Sequence, residues 1–248
     1  MAVILMYHSI AQRREAGGET RYTCTPAQFS RQLLVLRALG RRIVRLDEIV
    51  ACLREDRPLP ARSVAITIDD GFRDACEQAL PSLLAHRAPA TVFVATGYVG
   101  GRNEWMMREG FAARAMLCRA DIARMHAAGI DFGGHTRTHP RLPELGETAA
   151  RAEVEGCMQD LEGILGIPVR HFAYPYGLAG ERDRVLVEQA GFHSACGITA
   201  GRNRGSTSIF DLRRIEIRGM DSLARFALKV LLATDHSIRD RLGRRTWT

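Results

Sequence analysis

Short runs that are apolar at almost every position, residues 3–7 and 90–95 among them, alternate along this chain with segments of helical periodicity. A strand with one buried face alternates apolar and polar side chains, whereas a continuous apolar run needs cover on both faces. Helices packed on parallel strands supply that cover, so the strand–helix rhythm implies an α/β protein with a parallel sheet. About eight strands can be placed, which favours a distorted (β/α) barrel of seven or eight strands over an open sheet. The 248 residues suffice for one such domain, expected to span 1–248.

The helices carry recognisable ends. Thr25 and Pro26 mark a start, Phe29, Leu33, Leu36 and Leu39 recur at helical spacing, and Gly40 stops the run. A short strand is expected over 43–46 and a long helix over 147–165, closed by Gly166. Residues 97–119 begin glycine-rich, then bear Trp105 and two methionines, and are expected to cross one rim of the fold. In the last helix, expected over 222–232, Leu223, Phe226, Ala227, Val230 and Leu231 are spaced to pack on the barrel. A membrane-facing or partner-facing role for that stripe is the alternative.

In such barrels the chemistry gathers at the C-terminal ends of the strands. The apolar run that includes Val64, Ile66 and Ile68 ends in Asp69, Asp70 and Gly71. Two adjacent carboxylates at the tip of a buried strand are costly unless a cation or hydrogen-bond donors lie nearby. His8, His135, His139 and Tyr176 fall at the ends of other strands. His135 and His139 are four apart, and with Asp70 they form a two-histidine, one-carboxylate set suited to a catalytic zinc with open positions. Pro140 follows directly, so the pair belongs to a loop, and the glutamate of the HExxH helix is missing. Each feature alone has a plain explanation, an Asp-Gly turn or a surface histidine pair; their coincidence favours a site.

Composition narrows the class. No apolar run is long enough to span a membrane, and the N-terminus lacks a basic region and a cleavage site, so cytoplasmic residence is expected. Six scattered cysteines without a CxxC pair suggest neither a zinc ribbon nor a disulfide framework. The formal charge of +7 raises polyanionic partners, but the arginines are spread out, densest at 239–245, and no nucleic-acid motif accompanies them.

Taken in order, Thr67-Ile68-Asp69-Asp70-Gly71, His135-Thr136-Arg137-Thr138-His139 and Tyr174-Pro175-Tyr176-Gly177 resemble the first three motifs of the NodB-homology polysaccharide deacetylases, carbohydrate esterase family four. The opening Met6-Tyr7-His8-Ser9-Ile10 extends the resemblance toward a branch that deacetylates biofilm poly-N-acetylglucosamine. It implies a distorted (β/α) barrel and metal-dependent removal of acetyl groups from N-acetylated sugars. By position Asp69 would be the general base, Asp70, His135 and His139 the metal ligands, and the backbone N–H of Tyr176 an oxyanion donor. Zinc is the expected metal, and cobalt, nickel or manganese suit the same donors.

Two departures stand out. Where many members have an arginine that orients the base, this chain has Ala173 or Tyr174, leaving Arg137, Arg170 or Arg214 as substitutes. No late Leu-x-x-His motif supplies a general acid, and His236 sits in a polar, basic stretch; the resemblance to the biofilm branch, where a histidine in a similar Tyr-His segment replaces the missing acid, implies His8 for that role. His86, His126, His171 and His193 are assigned to structure or surface. The expected partner is a saccharide, with peripheral membrane association if the substrate is a lipid-linked glycan. A carbohydrate-binding pseudoenzyme and a hydrolase of other amides or esters are the competing readings.

Overall fold

The computed structural model describes residues 1–12 and 19–234; His236 and the basic run 239–245 lie outside the described residues. The strands are β1 (Val3–Tyr7), β2 (Ser9–Ile10), β3 (Thr23–Cys24), β4 (Arg42–Ile43), β5 (Ser63–Ile68), β6 (Thr91–Val94), β7 (Asp131–Gly134), β8 (His171–Ala173), β9 (Ser194–Cys196) and β10 (Ile215–Glu216). The helices are α1 (Glu19–Tyr22), α2 (Pro26–Ala38), α3 (Leu46–Arg54), α4 (Leu80–Ala85), α5 (Glu104–Arg108), α6 (Arg119–Ala127), α7 (Glu147–Leu165), α8 (Glu181–Gln189) and α9 (Leu223–Leu232).

The main sheet runs β10, β1, β5, β6, β7, β8, β9, all parallel. β4 and β6 share one edge of β5: Ile43 pairs with Val64 near its start, Ile68 with Val92 near its end. A bridge between Cys196 and Leu212 joins β9 to the chain entering β10 and closes the curl. This is the expected distorted (β/α) barrel, with eight strands in its sheet.

Alternation along the strands divides the core in two. Val3, Leu5 and Tyr7 of β1 and Val64, Ile66 and Ile68 of β5 join the outer layer beneath the helices, with Phe29, Leu33 and Leu36 of α2. Their neighbours Ile4 and Ala65 meet Phe93, Ala173, Cys196 and Leu212 inside the barrel. That is why the strands are apolar at successive positions. Leu46, Ile49 and Val50 of α3 belong to the inner cluster and plug the end where the strands begin, leaving the other end for polar groups.

Helix ends follow the expected chemistry. The Thr25 hydroxyl accepts from the Gln28 amide at 3.2 Å, a cap worth about 1 kcal/mol. Gly166 closes α7 with φ 70°. Two expectations are corrected. The strand expected over 43–46 is the two-residue β4, because Leu46 turns into α3 to fill the barrel floor. Of the stripe on α9, Phe226 and Val230 are buried, but Leu223 and Leu231 are 38% and 43% exposed. The helix is rotated so that Lys229 lies inside, donating to Asp221 Oδ2 and the Glu216 carbonyl, both at 2.7 Å.

Candidate active site

The two aspartates leave β5 in opposite company. Asp69 continues the inward series Ala65, Thr67 and enters the barrel mouth, where Arg214 Nη1 donates to its Oδ1 at 2.7 Å. Arg214 is fully buried; its Nε donates to the Gly197 carbonyl at 2.8 Å and its Nη1 also reaches Thr67 Oγ1 at 3.2 Å. Burial pushes the Asp69 carboxyl up, but Arg214, together with His135 and His8, outweighs this, so its pKa lies below the ordinary value. Asp69, the residue expected to be the base, therefore has an orienting arginine, supplied by the closing segment of the barrel. Arg137 and Arg170 pair instead with Asp160 and Asp47.

Asp70 turns the other way because its backbone is left-handed, φ 75°, followed by Gly71 at φ 82°. A Cβ on Gly71 would lie 3.0 Å from Val94 Cγ1, so glycine permits both the turn and the close approach. Asp70 Oδ1 faces His135 Nε2 at 3.5 Å and His139 Nε2 at 3.4 Å, all three residues buried. His135 Nδ1 lies 2.7 Å from the Ala173 carbonyl, which can only accept, so Nδ1 donates and the neutral ring leaves a lone pair on Nε2. Burial lowers the pKa of His139 and favours its neutral form. The possible ligand atoms of Asp70, His135 and His139 lie within 4.8 Å of one another, an arrangement that fits a bound cation.

The loop bearing the histidines is clamped from outside. Glu153 of α7 accepts from the amides of Arg137 and Thr138, each at 2.8 Å, and from Thr138 Oγ1 at 2.6 Å. About two turns further along α7, Asp160 accepts from Thr96 Oγ1 at 2.7 Å and Arg137 Nε at 3.0 Å. Within the clamped loop Thr136 and His139 adopt φ 63° and 57°, conformations that cost free energy for residues with a side chain.

His8 follows β1 in the inward series Ile4, Met6, and its ring meets Tyr22 at a centroid distance of 5.1 Å. Its buried Nδ1 has no hydrogen-bond partner among the described residues. The next residue is tied down: Ser9 Oγ donates to Asp74 Oδ2 at 2.7 Å, and Arg114 reaches both. Tyr176 has φ 57° within the single turn Pro175–Gly177, where the first amides of a helical turn lack acceptors behind them. Its ring packs edge-on to His139 at 4.7 Å, and Trp105 stacks on that histidine at 4.9 Å. The 97–119 excursion thus forms a wall of the site.

All six residues anticipated from the sequence, His8, Asp69, Asp70, His135, His139 and Tyr176, line one cleft of about 530 Å³ together with Arg214 and Trp105. Sequence reasoning left Arg214 as one of three candidates and did not single out Glu153. Arg214 had a signal, since it continues the inward series begun by Leu212; Glu153 had none, because an acidic residue on a helix looks the same whether solvated or clamping a loop.

Comparison with known proteins agrees with this geometry. Poly-beta-1,6-N-acetyl-D-glucosamine N-deacetylase of Staphylococcus aureus is 26% identical over 179 residues, 68% of this chain. The chain covers 59% of that protein's length. IcaB from Ammonifex degensii superposes with a TM-score of 0.78 at 25% identity, covering 92% of this chain and 96% of the other. The Streptococcus pyogenes deacetylase PplD, solved with acetate, gives the same TM-score at 23% identity over 92% and 97% of the two chains, a likeness of fold. The polysaccharide deacetylase family model matches residues 56–195, a span that holds both aspartates, both histidines and Tyr176, and the chain belongs to that family.

Proposed function

We propose that this chain is a metal-dependent hydrolase that removes N-acetyl groups from saccharides containing N-acetylhexosamine. The observation that carries the reading is the division of labour between neighbours: Asp70 faces two imidazole Nε2 atoms, while Asp69 is held apart by Arg214. The name of the Staphylococcus aureus relative points to the same substrate class.

Asp70, His135 and His139 would hold the cation, with zinc favoured by the nitrogen-rich donor set. When bound it supplies Lewis-acid polarisation of the acetyl carbonyl and acidifies water. Asp69 is the general base. Arg214 keeps it ionised and fixes its oxygens, so that it accepts a proton from the attacking water. The Tyr176 amide donates to the developing oxyanion, and its left-handed backbone sets the direction of that donor. His8, beside Asp69 at the end of the neighbouring strand β1 and with an unpartnered nitrogen, protonates the departing amine. A carbohydrate-binding module would not need a base with its own buried counter-ion, whose removal from water is costly.

The test is acetate release from short N-acetylglucosamine oligomers by protein loaded with zinc or cobalt, with and without chelator, beside Asp69→Asn. Turnover that requires both metal and Asp69 supports the proposal. Metal-loaded protein that releases no acetate from any N-acetylated saccharide overturns it.

A further inference from the structure

The opposite pole of the barrel carries a second concavity. After β9 the chain folds back beneath the strand beginnings, where Asn203 and Ala2 exchange backbone hydrogen bonds of 2.9 and 3.0 Å. The Asn203 side chain, fully buried, accepts from the Arg213 amide at 3.0 Å and donates to the Arg213 carbonyl at 2.9 Å. A tight turn is locked by the Arg204 amide donating to Thr207 Oγ1 at 2.9 Å. This braced loop and the end of α9 enclose about 520 Å³, lined by Arg202, Arg204, Arg213 and the hydroxyls of Ser206, Thr207 and Ser208.

Among the described residues, the guanidinium groups around this cavity lack carboxylate partners. Most arginines elsewhere in the molecule face a carboxylate, but among the described residues none of Arg41, Arg62, Arg202, Arg204 and Arg213 forms an ion pair. Asp211, the one acid on the cavity wall, is engaged by Arg184 at 3.2 Å. Partial burial, reinforced by the like charges of Arg202 and Arg62, lowers the pKa of Arg41. Arg41 and Arg202 each donate one Nη2 to a last carbonyl of α9, Val230 and Leu231, which occupies a single donor on each. The Thr207 and Ser208 hydroxyls accept from backbone amides and retain their own protons for a further acceptor.

Several guanidinium groups and free hydroxyl donors around one rigid cavity match the oxygens of a phosphate group, which accepts many charge-assisted bonds at once. We infer that this cavity is a binding site for a phosphorylated ligand, separate from the deacetylase cleft. A soluble diphosphate ester and an anionic lipid headgroup offer the same chemistry. Leu232 lines the cavity and is 57% exposed, giving a lipid chain somewhere to rest.

The test uses the full chain and two probes, inorganic pyrophosphate by calorimetry and phosphatidylglycerol vesicles by sedimentation, with phosphatidylcholine vesicles as reference. The double variant Arg204→Glu, Arg213→Glu is read against a charge-matched control, Arg31→Glu, Arg119→Glu, whose sites are exposed and do not line the cavity. The side chains of Arg204 and Arg213 make no bond among the described residues, so the fold is retained. Binding of either probe should weaken about tenfold or more in the cavity variant, change less than about twofold in the control, and persist in Asp69→Asn. Pyrophosphate binding alone identifies a soluble phosphate ester; vesicle binding that also falls in Leu232→Ser identifies a lipid. Failure to bind either probe, or equal weakening by both double variants, overturns the site.

Discussion

The two ends of the barrel hold similar residues put to different use. At the upper end Asp70 meets His135 and His139; at the lower end His171 lies between Ser194 and Asp47, 2.9 Å from Ser194 Oγ and 3.4 Å from Asp47 Oδ1. By residue type the lower trio resembles a serine-hydrolase triad. Yet Ser194 has no exposed surface, and none of the three residues has a left-handed backbone. The upper cluster opens on the cleft and includes Asp70, Thr136, His139 and Tyr176, all at positive φ. Strained backbone, access and polar atoms still wanting partners separate a site from a fastener; the identities of the side chains do not.

Breaking the upper end should remove the proposed hydrolysis. Arg214→Met strands Asp69 as a buried, unpaired carboxylate, so stability should fall by about 3–5 kcal/mol in urea unfolding. Acetate release, assayed below the new unfolding midpoint, should drop by roughly 10²-fold or more, because the base loses its charge partner. Next in size is Glu153→Ala. Releasing the amides of Arg137 and Thr138 should weaken zinc affinity by about 10–100-fold in a competition titration and alter the visible spectrum of the cobalt form, with Glu153→Gln intermediate.

The lower end should respond in the opposite sense. Ser194→Ala leaves His171 Nδ1 unpaired and should cost about 1–3 kcal/mol of stability while leaving acetate release per folded molecule unchanged. A loss of activity larger than the folded fraction explains would give the lower trio a chemical role. The smallest effect sharpens the contrast through pH. A hydrogen bond with His171 is the main cause that lowers the Asp47 pKa to about 2, from an ordinary value near 3.8. A depressed carboxyl stabilises the fold above its unfolded pKa, and that contribution disappears as pH falls from about 4 to about 2. Asp47→Asn should therefore flatten the melting-temperature profile in that acid window alone.

Much of this was legible in the sequence because it depends on local pattern. Periodicity and Gly166 set the bounds of α7, and the ends of β1, β5 and β7 placed His8, the two aspartates and the histidine loop around one mouth. What was not legible depends on contacts between distant segments. Arg214 and Asp69 are 145 positions apart and meet only because the chain entering β10 bridges β9 while β10 pairs with β1. The outward turn of Leu223 and Leu231 follows from Lys229 seeking Asp221 and the Glu216 carbonyl, a polar demand that overrides a stripe read from apolar spacing.

Closure by the last strand also sets an order of assembly. A nascent chain that has emerged as far as residue 200 contains both aspartates and both histidines, but not the guanidinium that makes Asp69 tolerable inside the barrel. Burying that carboxylate before residues 212–216 slot between β9 and β1 is unfavourable, which predicts that the mouth stays hydrated until then. Arrival of Arg214 then completes the barrel wall and the charge balance of Asp69 in one event, and a truncated chain would lack both together.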